Sequence, residues 1–354
     1  MEPSLRTAAI LIGVIGLFIY YRSIIRVMLI NRRERDCIER GARFAAVSII
    51  HGLARKRKEF DRVQPLLAWT LPLFVLFAVA TWFLLVQVSF AFILWGLGVK
   101  EGWAHAFAAS GSALSTLGFS TPPSLLGEYL AIFEAAIGLA IVVLLFTFVP
   151  SYQAAIQLRE RKVGWIFART GGHPSCMSLL QTLKNSNRLD DRSVWEDWEA
   201  WFRGVIETHS TSPILAYIPS IYPRTNWVDA AAAVLDTTSL LVGALDSKHT
   251  QAMRICREMG VRAVRQLATE LNRDIPVESG SGDSSQVRLA DNFDRLYDEL
   301  VETGLPLKVD RDKCRDAFST LRAEYEGSIH HISRSTLMPV EEPWSTGTWS
   351  QASS

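Results

Sequence analysis

The chain is poor in the residues that build many small stable proteins. Its 354 residues contain four cysteines, Cys37, Cys176, Cys256 and Cys314, far apart and without a C-x-x-C pair. That argues against a disulfide scaffold and against structural zinc. Charge of one sign is also lacking: 37 Lys and Arg stand against 36 Asp and Glu, so no global field draws in nucleic acid. No glycine-rich dinucleotide fingerprint follows a strand pattern, no β-rich nucleotide module is visible, and no Ser/His/Asp or metal-ligand spacing stands out. We therefore expect no catalytic residue, no enzyme, no metal site, no cofactor and no nucleic-acid partner.

Charge is missing most clearly from three apolar stretches. Ala8–Tyr21 is wholly apolar and its pattern continues to Ile30; Leu66–Val99 holds no charged residue; Leu130–Pro150 holds only Glu134. A membrane span needs roughly 20 apolar residues. The first stretch has its basic residues after the apolar run and no small-residue cleavage site, so it is read as a retained anchor and not as a signal peptide. Arg32, Arg33, Arg35, Arg40, Arg43, Arg55, Lys56, Arg57, Lys58 and Arg62 crowd the first connection, and Arg159, Arg161 and Lys162 follow the third stretch. Between the second and third, Lys100 is the only Lys or Arg. The positive-inside rule predicts three spans in a cell membrane, with the N-terminus outside and residues 31–65 and the C-terminal part cytoplasmic.

The connection between the second and third stretches is unusual. Trp103–Ser115 is small, mostly apolar and free of formal charge, too short to cross a bilayer and suited to a re-entrant or buried helix. Thr116-Leu117-Gly118-Phe119-Ser120-Thr121 follows, and then Pro122-Pro123, which cannot continue a helix. We expect an outer helix over 66–99, a short helix over 103–115, a strand-like turn over 116–121 and an inner helix over 126–152.

This order resembles the pore module of the potassium-channel superfamily, whose filter reads Thr-Val-Gly-Tyr/Phe-Gly-Asp; Thr116, Leu117, Gly118 and Phe119 match its first four positions. A single glycine followed by Phe-Ser-Thr is also similar to the pore loops of the Trk/Ktr potassium transporters, which carry four such modules where this chain has one. The resemblance covers residues 66–160. It implies an ion-selectivity filter at Thr116, Leu117, Gly118, Phe119 and Ser120, with K⁺ or another monovalent cation as the permeant ion. Rings of carbonyl oxygens replace the ion's hydration shell in such filters. Ser120 stands where the second glycine is expected and Thr121 where the aspartate is, which implies weakened K⁺ selectivity or a differently shaped outer filter. The other reading of TLGFST is an ordinary tight turn between two antiparallel spans.

In the inner span, Gly138 and Pro150 sit where the resemblance places a gating hinge. Phe146, Phe148 and Val149 form the expected constriction, able to gate by dewetting. Gly138 reads equally as a helix-packing contact. Glu134 has two readings as well: a hydrogen bond behind the filter to Ser110, Ser112 or Ser115, or an interfacial position reaching water.

Residues 31–65 combine basic residues with the apolar insert ARFAAVSIIHGLA, either an amphipathic helix on anionic lipid or a solvated connector. From 161 to 336 the pattern is helical and soluble in character. Trp195, Trp198 and Phe202 share one helix face, and Met253, Cys256, Val261, Val264 and Leu267–Leu271 form another. Residues 337–354, rich in Ser, Thr and Pro, are expected to be a disordered tail. The predicted fold class is an all-α membrane protein: a 1–30 anchor, a 31–65 linker, a 66–160 pore module and a 161–336 helical cytoplasmic domain. One pore loop cannot enclose a path, so a cyclic homotetramer is expected, gated by the helical domain. The alternative is a non-conducting, membrane-anchored scaffold or signalling protein whose helical domain binds a partner.

Overall fold

The computed structural model describes residues 3–29, 36–57, 59–99, 102–245, 247–272, 283–305, 307 and 310–345. Among them the protein is all-helical, with no strand, and its backbone divides into two compact units: 1–49 with 71–154, and 50–70 with 155–354. In chain order the helices are α1 (Pro3–Ile24), α2 (Cys37–Ala54), α3 (Phe60–Leu67), α4 (Thr70–Gly96), α5 (Trp103–Leu114), α6 (Leu125–Arg169), α7 (Cys176–Asn185), α8 (Arg192–Thr211), α9 (Trp227–Ala244), α10 (Ser247–Asn272), α11 (Asp283–Val301), α12 (Arg311–Ala323) and α13 (Glu326–Thr336). Four segments are long and apolar enough to cross a membrane: Pro3–Val27, Phe60–Gly96, Leu125–Arg169 and Trp227–Ala244. The last is the shortest, and most of it is buried inside the protein.

The first unit packs α1, α4, α5 and the front of α6. Its inner face combines large apolar side chains such as Phe74, Trp82, Phe90 and Leu94 with small and polar residues where helices approach closely. A side chain at Gly13 of α1 would collide with the Ser89 carbonyl and Ile93 of α4. Asp36 caps α2 by accepting from the N–H groups of Ile38 and Glu39, both at 3.0 Å, and also accepts from the Ser23 hydroxyl at 2.8 Å. The Trp82 indole donates to that same hydroxyl at 2.9 Å, so one buried polar knot joins α1, α2 and α4. The outward face carries Leu11, Ile15 and Phe18 of α1, Leu76 and Leu84 of α4, and Ile132, Leu139 and Phe146 of α6, all exposed.

The expected single helix over 66–99 is interrupted. α3 ends at Leu67 and α4 begins at Thr70, because Pro72 has no N–H and its ring crowds the carbonyl four residues back, at Ala68. The expected inner helix over 126–152 instead runs unbroken from Leu125 to Arg169, straight through Pro150.

The second unit buries α9 at the centre of a helical bundle. Asn226 caps it, accepting from the Asp229 N–H at 2.7 Å, and residues Trp227 to Leu241 are all buried. Around it lie Trp195, Trp198 and Phe202 of α8, the expected apolar face of α10, and Phe293 and Phe318 of α11 and α12. Asp236 of α9 accepts from Tyr325 at 2.6 Å and pairs with Arg322 at 3.3 Å, so its buried charge is matched.

Residues 337–345 depart from the expected disordered tail. The Pro343 carbonyl accepts from the Met177 N–H at 2.9 Å, the Pro339 carbonyl from Asn226 at 2.9 Å, and the Glu341 N–H donates to Asp229 at 2.8 Å. Met338 is fully buried. Specific backbone partners hold this strap, and composition does not register them; residues 346–354 lie outside the described residues.

Candidate functional site

The site begins at the end of α5. Ser115 closes the helix and Thr116 adopts a left-handed conformation, φ 60°. The Thr116 N–H donates to the Ala113 carbonyl at 2.9 Å and the Leu117 N–H to the Ser112 carbonyl at 3.0 Å. These two bonds form a Schellman closure. The usual residue at the left-handed position is glycine; a β-branched threonine there costs about 1–2 kcal/mol. The Gly118 N–H donates to the same Ser112 carbonyl at 3.2 Å, with φ 71°, and the Ser120 N–H reaches the Ser112 hydroxyl at 3.0 Å.

The segment is therefore a tight helical closure, which corrects the expected strand-like turn over 116–121. The left-handed conformations fall at Thr116 and Gly118, whereas Ser120, at the place of the filter's second glycine, keeps negative φ. One consequence is chemical. The N–H groups of Thr116, Leu117, Gly118 and Ser120 all turn back toward α5, while among the described residues no hydrogen bond reaches the carbonyl oxygens of residues 116–120. A row of unengaged acceptors then sits at the C-terminal, partially negative end of a helix. Within the chain, Leu117 is 60% exposed and Phe119 84% exposed, so Phe119 does not brace the turn against its own helices.

Behind the turn, Glu134 of α6 is fully buried and bonded to the Ser110 hydroxyl; of its two readings, the structure has the buried one. Ser110 also lies 2.8 Å from the Gln87 carbonyl of α4, and the Gln87 amide donates to the Phe107 carbonyl at 3.3 Å. The short helix is thus tied on both sides, to α4 and to α6. Glu134 Oε2 has no partner within the protein. Leu94, Ala106 and Ala109 supply the apolar part of the same contact, with Trp95, Val99 and Leu130 packed against them.

Gly138 lies directly against this assembly: a Cβ there would collide with the Leu114 carbonyl at the end of α5. That geometry is the packing reading of Gly138. Phe146, eight residues on and about 12 Å along the helix, is 76% exposed, and Phe148 and Val149 are half-buried. Pro150 is exposed on an unbroken helix. The structure thus brings Thr116–Ser120, Ser110, Glu134 and Gly138 together and leaves Phe146, Phe148, Val149 and Pro150 farther along α6. Sequence reasoning missed Gln87, whose only signal is its place as the one amide in an apolar run.

No group of three or more His, Cys, Asp or Glu side chains able to hold a metal ion occurs among the described residues. No protein-family model, curated protein or solved structure matches the chain.

Proposed function

We propose that the chain is one subunit of a cyclic homotetramer that conducts monovalent cations, K⁺ favoured, across a membrane. In this reading α1, α4 and α6 cross the bilayer and α5 with residues 116–121 dips back from the outer side. The charge distribution of the sequence supports an N-terminus outside and residues 31–65 and the second unit in the cytoplasm. The observation that carries the proposal is the set of unengaged carbonyl oxygens at 116–120, left free because the neighbouring N–H groups turn back toward α5. Non-helical backbone at membrane depth is tolerated where it lines a water-filled path or is buried in protein. Four copies of the segment around an axis would supply the carbonyl rings that replace a cation's water. The same copies would meet over the exposed apolar face of α6, with Phe146, Phe148 and Val149 toward the cytoplasmic end. Anionic lipid beside residues 31–65 fits their basic charge.

Reconstituted protein should pass cation current, and bi-ionic reversal potentials should favour K⁺. Gly118→Asp should abolish the current. Well-assembled protein that carries none under varied voltage, pH and ligand would transfer the argument to the scaffold reading, which the closed helical form of the 112–118 turn favours.

A further inference from the structure

A cleft of about 440 Å³ opens in the second unit between the back of α6 and α8. It lies at the lower end of the ~300–1,000 Å³ typical of small-molecule sites. Ala155 and Leu158 form one wall and Ala200, Gly204 and Val205 the other; Leu158 is half exposed although no charge or hydrogen-bonding need holds it at the surface. A Cβ on Gly204 would already be in van der Waals contact with a Leu158 methyl, at 3.9 Å. The walls therefore close at Gly204, and the open part of the cleft lies beside that contact, along Ala155, Leu158 and Ala200.

One end of the cleft is cationic. Lys162 pairs with Asp197 at 2.6 Å and lies over the rings of Trp165 and Trp198, at 5.8 and 5.6 Å. Its charge is locally answered. Arg161, on the same rim, is exposed and makes no ion pair or hydrogen bond among the described residues. Its near neighbours Arg159 and Glu160 are engaged with each other at 2.8 Å and buried, so they offer it nothing. A free guanidinium presents a planar fork of donors that matches a carboxylate or phosphate.

We propose that this cleft binds a single-chain amphipathic anion: a hydrocarbon body along Ala155, Leu158 and Ala200, and an anionic head on Arg161. The small volume admits one chain and excludes the paired chains of a phospholipid. The apolar walls disfavour a small polar anion such as free phosphate. The site does not depend on the chain conducting ions.

The test uses the full chain in phosphatidylcholine nanodiscs and a dodecanoate bearing a photoreactive diazirine, with labelled peptides mapped by mass spectrometry. Labelling should concentrate in residues 155–165 and 197–208. Excess dodecanoate should compete it away, whereas dodecanol and dodecyltrimethylammonium should not. Ala200→Trp, at an exposed position on the wall, obstructs the cleft and should remove the labelling with the thermal melting curve unchanged. Arg161→Ala, at an exposed position, should reduce it about tenfold, the scale of one charge-assisted hydrogen bond. Competition by dodecyl phosphate equal to that by dodecanoate would assign the head to either anion. Labelling spread over the exposed faces of α1, α4 and α6, or equal competition by dodecanol, or labelling that survives both substitutions, would overturn the proposal.

Discussion

α6 and α9 are both long and apolar enough to cross a membrane, and the chain uses them in opposite ways. α6 turns Ile132, Leu139 and Phe146 outward, each more than half exposed, and turns Glu134, the charge within its apolar run, inward. α9 turns almost nothing outward; its aspartates are met by Tyr325, Arg322 and the Glu341 N–H inside a bundle of amphipathic helices. Apolar content alone does not separate a span from a core helix. What separates them is whether neighbouring helices supply a polar outer surface, as α8, α10 and α12 do for α9.

The contrast can be broken most forcefully by a charge. Ala231→Arg places an unpaired cation in the centre of α9, where Ala231 is fully buried, and should cost more than about 4 kcal/mol and abolish cooperative unfolding of the second unit. Leu139→Arg on the exposed face of α6 should leave that unit's melting unchanged and impair membrane insertion instead. Equal effects of the two substitutions would erase the distinction between the helices.

A smaller effect sharpens the account of α6. Gly138→Val drives a side chain into the Leu114 carbonyl and should destabilise the first unit by about 1–3 kcal/mol, the range for overpacking. Tolerance of valine there would mean that α5 and α6 do not meet as closely as described.

The second unit should also carry a pH signature at His209. Burial, and then the charge of Arg159 beside it, hold the His209 ring well below the usual histidine range. The folded protein therefore keeps His209 neutral where the unfolded chain would already bind a proton. The His209 contribution should be constant above about pH 6.5 and fall as pH drops below it, by up to about 1.4 kcal/mol per pH unit. His209→Gln should reduce the slope below about pH 6.5 in a melting series across pH 4.5–8.

The smallest expected effect is a gain. Thr116→Gly relieves the left-handed strain at the end of α5 and should raise stability by at most about 1–2 kcal/mol, offset in part by the greater freedom of glycine in the unfolded chain. Thermal melting in detergent would read it, and a loss would contradict the assigned conformation.

Part of this architecture is legible in the sequence. The three apolar runs, the tryptophan face of α8 and the apolar face of α10 follow from periodicity and charge, because burial of one face leaves a regular imprint. The placement of Glu134 could be narrowed to two positions, since a lone carboxylate in an apolar run has few stable surroundings. The shape of the 116–120 turn was not legible. Hydrogen bonds to Ser112 decide it, and residue type alone does not point to a left-handed Thr116. The same applies to Arg159, which reads as one more basic residue flanking a span. In the fold it is buried, donating to the carbonyls of Leu215 and Ile218 at 3.0 and 2.9 Å.

The most direct test of the central claim is proximity of copies at the turn. In a Cys37→Ser background, Ser120→Cys treated in native membranes with a short bismaleimide should yield a covalent dimer, since one reactive thiol per chain permits a single link, while Ile15→Cys on the outward face of α1 should not. Only monomer at Ser120→Cys, under conditions where the cysteine reacts with a monofunctional maleimide, would contradict a shared axis.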